Sequence, residues 1–354
     1  MKEIPITVIR SIELLGIVLV VFIFYVGADI IMPILLSFFI SIMLLPVHRF
    51  LMSKKIPEIL SIIISILLLA LFLGGIIWFF SSQITKLINE FDQIKSNVNN
   101  HLNNLSHWID NKFGISSKEQ TKFINEQSNN VLNSLGKILG GAMGSFSSFI
   151  VFFGLLPIYI YLMLFYKNLF LKFIFMWFSP TDHEMVREGL KESETIIKSY
   201  LLGLIIQVTY MTILLGGLMI IFGIKHALLI GVIFAILNLI PYIGALFGNI
   251  IGVLLTLSST QELSAVITVL IIISAVQFLD NNILMPRIVG SKVKINAFAA
   301  IFGVIVGGTI AGISGMFLAL PLIAVLKIIF DRTKILKQWG VLLADERPKN
   351  NLMK

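Results

Sequence analysis

ALLIGVIFAILNLIPYIGALFGNIIGVLLTLS, residues 227–258, carries no charged side chain, and Asn238, Pro241, Tyr242 and Gly244 interrupt its middle. A helix of about 20 residues crosses the roughly 30 Å hydrocarbon core of a bilayer. As one continuous helix this stretch would be about 48 Å long at about 1.5 Å per residue. Even a tilt of about 40° accommodates only about 39 Å. The stretch therefore reads as a re-entrant helical hairpin that enters the membrane, turns and leaves by the same side. Residues 297–326 repeat the design, uncharged throughout and broken by Gly307, Gly308, Gly312, Gly315 and Pro321. Paired broken helices are a sequence pointer to a transport site.

The rest of the composition agrees. The chain is 57% hydrophobic and 13% charged, against about 25% charged for a soluble domain. Several uncharged runs are long enough to cross a bilayer, so the chain reads as an all-α polytopic membrane protein. Cysteine is absent, which excludes disulfides, thiolate catalysis and cysteine-ligated metals. The net charge of +8 does not require nucleic acid, because Lys and Arg collect beside the apolar runs, where orientation needs them.

Apolar runs place spans near 11–28, 30–47, 58–80, 147–166, 200–222 and 264–280. With the two hairpins this makes about six full spans and about eight membrane segments. Tyr25–Asp29 (YVGAD) has the small residues of a signal-peptidase site, but another apolar run follows at once. Residues 11–28 are read as an uncleaved first span, with Asp29 marking a tight turn. The domain reading is 1–82 for the first three spans and 83–145 for an Asn-rich helical insert outside the bilayer. It continues with 146–199 for span four and a charged amphipathic helix, 200–330 for a transport core, and 331–354 for a tail.

Counting basic residues sets the topology. If both broken stretches are hairpins, 20 of the 27 Lys and Arg fall on one side, including Arg287, Lys292 and Lys294. By the positive-inside rule that side is cytoplasmic and holds both termini. A single crossing by each stretch would move the basic 281–296 loop outside. Each hairpin then follows a span of opposite direction, which makes an inverted repeat in the C-terminal half.

Two polar groupings could carry chemistry. At the first hairpin tip, Pro241 lacks an amide proton and Gly244 permits unusual backbone geometry. Freed carbonyls there, with Asn238 and Tyr242, could bind a cation or a polar solute; a turn satisfying its own polar groups is the alternative. The second grouping is Gln277, Asp280, Asn281 and Asn282, with Arg287 following. Asp280 could bind a cation, take up a proton, or pair with Arg287 as counter-ion; an interfacial helix cap is the structural alternative. Gly307, Gly308, Gly312, Gly315 and Pro321 suit close helix packing or a hinge. Gln207 and Tyr200 are further candidate lining.

An enzyme reading finds little, and neither a catalytic group nor a cofactor is expected. The five histidines are scattered, no metal-binding pair occurs at helical spacing, and there is no glycine-rich phosphate loop with lysine.

The phrase IPYIG at 240–244, the segment DNNILMPRIVG at 280–290 and GGTIAGISGMFLALP at 307–321 together resemble the autoinducer-2 exporter family of bacterial permeases. The likeness extends to Pro46, Pro57 and Tyr200–Gly203 and excludes the insert. Many members carry a proline before the last apolar segment, where this chain has Asn296-Ala297. The resemblance implies a transporter of about eight membrane segments, exporting an autoinducer-2-like signal in quorum sensing or exchanging sodium or lithium for protons.

The expectation is thus an inner-membrane secondary transporter of a small polar solute working by alternating access. The alternatives are a sodium (lithium)/proton antiporter and a non-transporting scaffold whose insert binds a partner. Expected partners are the lipid bilayer, the solute or a monovalent cation or proton, and further copies of the chain (a pentamer is one such assembly), with no nucleic acid.

Overall fold

A computed structural model describes residues 5–90, scattered positions from 93 to 111, 146–240, 243–260, 262–288, 295–333 and 336–345. The described residues are almost entirely helical and form two compact units. The first comprises Met1–Ile66, Phe152–Leu201 and Ser291–Lys354; the second comprises Leu67–Val151 and Leu202–Gly290. The expected insert at 83–145 lies mostly outside the described residues.

In the first unit, α1 (Ile6–Val26) and α2 (Ala28–Ser53) are separated by Gly27 alone, so the break falls two residues before Asp29. Pro33 and Pro46 sit inside α2. Helix α3 (Glu58–Asn89) starts in this unit, and α4 (Phe146–Phe165) is followed after one residue by α5 (Lys167–Met176), bent by 63°. Helix α6 (His183–Ile221) joins the charged stretch and the apolar stretch in one element, where the change in composition predicts two. Nothing between Glu194 and Tyr200 breaks it, because neither Gly nor Pro occurs there.

The second unit contains the first broken stretch as α7 (Ala227–Leu237) and α8 (Ile243–Ser259). A Cβ added at Gly244 would strike the Asn238 backbone, one at Gly248 would meet the Phe234 ring at 2.5 Å, and one at Gly252 would lie 3.4 Å from Ile230. Contacts step backward along α7 as they step forward along α8, so the pair is an antiparallel hairpin. Its glycines let the arms meet at backbone distance. Met211, Leu215 and Met219 of α6 pack with Ile230 and Phe234 of α7 and with Val269, Ile273 and Val276 of α9 (Leu263–Leu279). After α9 come a π-helical turn, Asp280–Leu284, and the short α10 (Met285–Ile288).

The second broken stretch lies in the first unit as α11 (Ala297–Arg332). Its helix is interrupted at Ala311 (φ −142°, ψ 25°) and Gly312 (φ 58°, ψ −139°), and Gly312 supplies a positive φ that other residues resist. Across this break Gly303 faces Ile323, Gly308 faces Met316, and a Cβ on Gly307 would lie 2.5 Å from the Gly315 carbonyl oxygen. Again the contacts run antiparallel, so this stretch too is folded on itself. Pro321 is buried in the second arm. Asn296 caps α11 by accepting from the Ala299 N–H at 2.8 Å. Its amide also donates to the Leu342 and Ala344 carbonyls beside α12 (Lys337–Leu343).

By length and composition five helices among the described residues could cross a membrane, the folded α11 counted as one of them, or six if the bent α4–α5 pair is one span.

Candidate functional site: a buried carboxylate held by neutral donors

Asp280 begins the π-helical turn that ends α9 and is only 1% exposed. Three side chains from two other elements converge on it, all within the second unit. Gln207 Nε2 of α6 donates to Oδ2 at 3.1 Å, and Asn238 Nδ2, at the end of α7, donates to the same oxygen at 3.1 Å. The Tyr210 hydroxyl of α6 donates to Oδ1 in a short contact. Gln207 and Tyr210 are one turn apart on α6, so both face α9.

The local sequence explains the turn. Asp and Asn side chains compete with helical backbone bonding, and Asp280-Asn281-Asn282 puts three together. Pro286 follows and contributes no N–H. The Met285 N–H reaches back to the Asp280 carbonyl, the wide hydrogen bond of a π-turn. Such turns insert one residue into a helix and are frequent at functional sites.

Electrostatically the site is unbalanced. Among the described residues no Lys, Arg or His forms an ion pair with Asp280. The expected counter-ion Arg287 is exposed, and the carboxylate is met by neutral donors instead. A seven-residue separation across a π-turn and a new helix carries Arg287 away from the Asp280 face. Hydrogen bonds to a charged acceptor contribute about 1.5–3 kcal/mol each, against an effective penalty of several kcal/mol for burying a charge. The three donors are therefore of the right order to keep Asp280 buried. Gln207 is 3% exposed, and among the described residues its Oε1 has no hydrogen-bond partner. The amide cannot turn to relieve this, because Oε1 would then face the carboxylate. Among the described residues an unfilled acceptor thus stands beside the acid.

The candidate residues divide accordingly. Asn238 and Asp280 are brought together. Gly244 is buried against the Asn238 backbone and keeps the tip closed. Gln277 is half-buried, Asn281 and Asn282 are exposed, and the Asn282 amide donates to the Phe278 carbonyl. Pro241 and Tyr242 lie outside the described residues. Gly307, Gly308, Gly312, Gly315 and Pro321 belong to the α11 hairpin of the other unit, and the buried Tyr200, on α6, falls in that unit too. Tyr210, which the sequence reading does not name, joins the candidate cluster through its contact with Asp280. Its signal is the spacing of three from Gln207 within an otherwise apolar run. Among the described residues no three His, Asp or Glu side chains converge as a metal site.

Comparison with known proteins follows the same outline. The family model described as AI-2E family transporter matches residues 14–335. YueF of Bacillus subtilis is 30% identical over 321 residues, covering 84% of this chain and 82% of its own. YrrI of the same organism is 26% identical over 312 residues, covering 84% of each chain; both bear transport-protein names. The AI-2 transport protein TqsA of Escherichia coli is 24% identical over 327 residues, covering 90% of each. A match across nearly the whole length, over a chain with several membrane-crossing helices, makes this a multi-pass membrane protein that belongs to the AI-2E family of transporters.

Proposed function

We propose that the chain is a secondary transporter of the bacterial inner membrane that moves a small polar solute by alternating access. The Asp280 cluster would hold the solute or its coupling ion. The observation that carries this reading is the buried Asp280 carboxylate, bonded by Gln207, Tyr210 and Asn238 without a basic partner among the described residues. A structural ion pair would be neutralised permanently; a carboxylate with neutral donors can exchange its partner. Asn238 ties the acid to the hairpin formed by α7 and α8, so a change at Asp280 is felt at a hinge-bearing element. The folded α11 hairpin, in the other unit, would supply the second movable element of an inverted pair. Likeness to TqsA supports an autoinducer-2-like cargo. The positive-inside rule, applied to the basic loops, supports cytoplasmic termini.

A second reading, exchange of sodium or lithium for protons, is favoured by Gln207 Oε1, which has no partner among the described residues and stands beside the carboxylate. Two cell assays separate the readings. In cells lacking their own exporter, the wild-type chain should raise autoinducer-2 activity in the medium. Asp280→Asn should lower that export about tenfold or more, equivalent to about 1.4 kcal/mol or more of lost interaction. In salt-sensitive cells lacking antiporters, rescue abolished by Asp280→Asn would favour ion exchange. A folded Asp280→Asn protein with wild-type transport and unchanged pH and cation dependence would remove Asp280 from the mechanism. Loss of function on deleting 83–145, with no effect of substitutions at Asp280 or Asn238, would favour the scaffold.

A further inference from the structure

We propose that α5 lies in the headgroup–acyl boundary of the bilayer, with its outer face covered by phospholipid. The helix stands between two environments. It follows α4, an apolar helix, after the single residue Tyr166, and it is bent 63° from it. After α5 the chain passes through Pro180–Asp182 into the charged first half of α6, where Glu184, Arg187, Glu188 and Lys191 require water. A segment joining a membrane-crossing helix to a charged one must traverse the interface. Ten residues make a helix of about 15 Å, about half the hydrocarbon thickness, so α5 does not itself cross.

The two edges of α5 differ. Its inner edge is held by protein: Lys167 Nζ donates to His48 Nε2 at 3.0 Å and to Glu58 Oε1 at 3.1 Å. His48 is fully buried, and its Nδ1 meets the Ser61 hydroxyl at 2.7 Å. At the far end the His183 ring packs edge-on against Phe175 and lies 3.1 Å from its carbonyl oxygen. Helical spacing puts Leu169, Phe173 and Met176 together on the opposite face, flanked by Phe170 and Trp177, and all five are exposed. Asn168 and Lys172, four apart, form the polar flank. The helix has no acidic residue.

A broad apolar face, a lysine-bearing flank and aromatic residues at the ends are the features of a helix lying in the membrane plane. Tyr166 and Trp177 sit where aromatic side chains favour the headgroup layer, and Lys172 is placed to meet anionic phosphate. Water is a poor occupant for this face. A second copy of the chain would have no reason to require the polar flank beside the apolar one.

Because the chain contains no cysteine, single nitroxide labels can be introduced at Phe173→Cys and Asn168→Cys without removing native thiols. The full-length protein is reconstituted in phosphatidylethanolamine–phosphatidylglycerol vesicles, and collision with oxygen is compared with collision with a water-soluble nickel chelate. Oxygen should dominate at position 173, with the order reversed at 168. Strong nickel collision at both positions would place α5 in water and overturn the proposal. Low collision with both reagents at 173, with spin–spin broadening, would mean that a second copy covers the face, which overturns it equally.

Discussion

Replacing Tyr210 by Phe removes one hydroxyl from the Asp280 cluster and keeps the ring that packs beside it. The effect should depend on what Asp280 is. With the carboxylate in place, the lost contact is a hydrogen bond to an ionised group, about 1.5–3 kcal/mol. In an Asp280→Asn background the same substitution removes a neutral bond, about 0.5–1.5 kcal/mol. The difference, about 1–2 kcal/mol, is the coupling energy of a double-mutant cycle. Both residues lie in one network, so additivity is not expected. Reversible unfolding in mixed dodecylmaltoside and dodecyl sulfate micelles measures all four proteins without knowledge of the cargo. Tyr210→Phe should be clearly destabilising in the wild-type background and much less so in the Asp280→Asn protein, whose amide is neutral. Effects that add to within about 0.5 kcal/mol would refute the reasoning, because an ionised carboxylate held by that hydroxyl cannot be indifferent to its loss.

Gln207→Met removes one charge-assisted donor, worth about 1.5–3 kcal/mol, together with an unsatisfied buried acceptor that costs about 1–3 kcal/mol. Stability in the same micelles should therefore stay within about 1 kcal/mol of wild type while transport is lost; a large destabilisation would mean that Oε1 is satisfied. In the α11 hairpin, Gly307→Ala brings a Cβ against the Gly315 backbone, whereas Gly308→Ala meets the flexible end of Met316 at 2.5 Å. The first should cost about 1–3 kcal/mol and the second less than about 1 kcal/mol, measured side by side. Asn296→Ala loses the α11 cap, about 0.5–2 kcal/mol, and both bonds to the Leu342 and Ala344 carbonyls. Asn296→Asp should recover the cap but not those bonds, giving an intermediate melting temperature.

Much of the fold is legible in two uncharged stretches that are too long for one crossing, and each is folded on itself in the structure. Their glycines fall where arms meet, at Gly248 against Phe234 and Gly307 against Gly315. The length of α6 is less legible, because a change from charged to apolar composition looks like a boundary although it breaks no backbone hydrogen bond. Arg287 looks like the partner of Asp280 by proximity in sequence. A π-turn and the start of α10 intervene, and the carboxylate instead finds donors from residues 207, 210 and 238.

Composition and apolar run length are enough to decide the class of the molecule and the places where its helices fold back. Both quantities are additive along a chain, and a bilayer reads them directly, so no tertiary contact is needed. The environment of Asp280 depends on tertiary structure alone. Its ligands are 42, 70 and 73 positions away in the chain, and no local rule pairs them. Packing of α6, α7 and α9 around Met211, Phe234 and Val276 brings them to one point. That convergence turns an acidic residue at a helix end into a buried carboxylate with no counter-ion among the described residues.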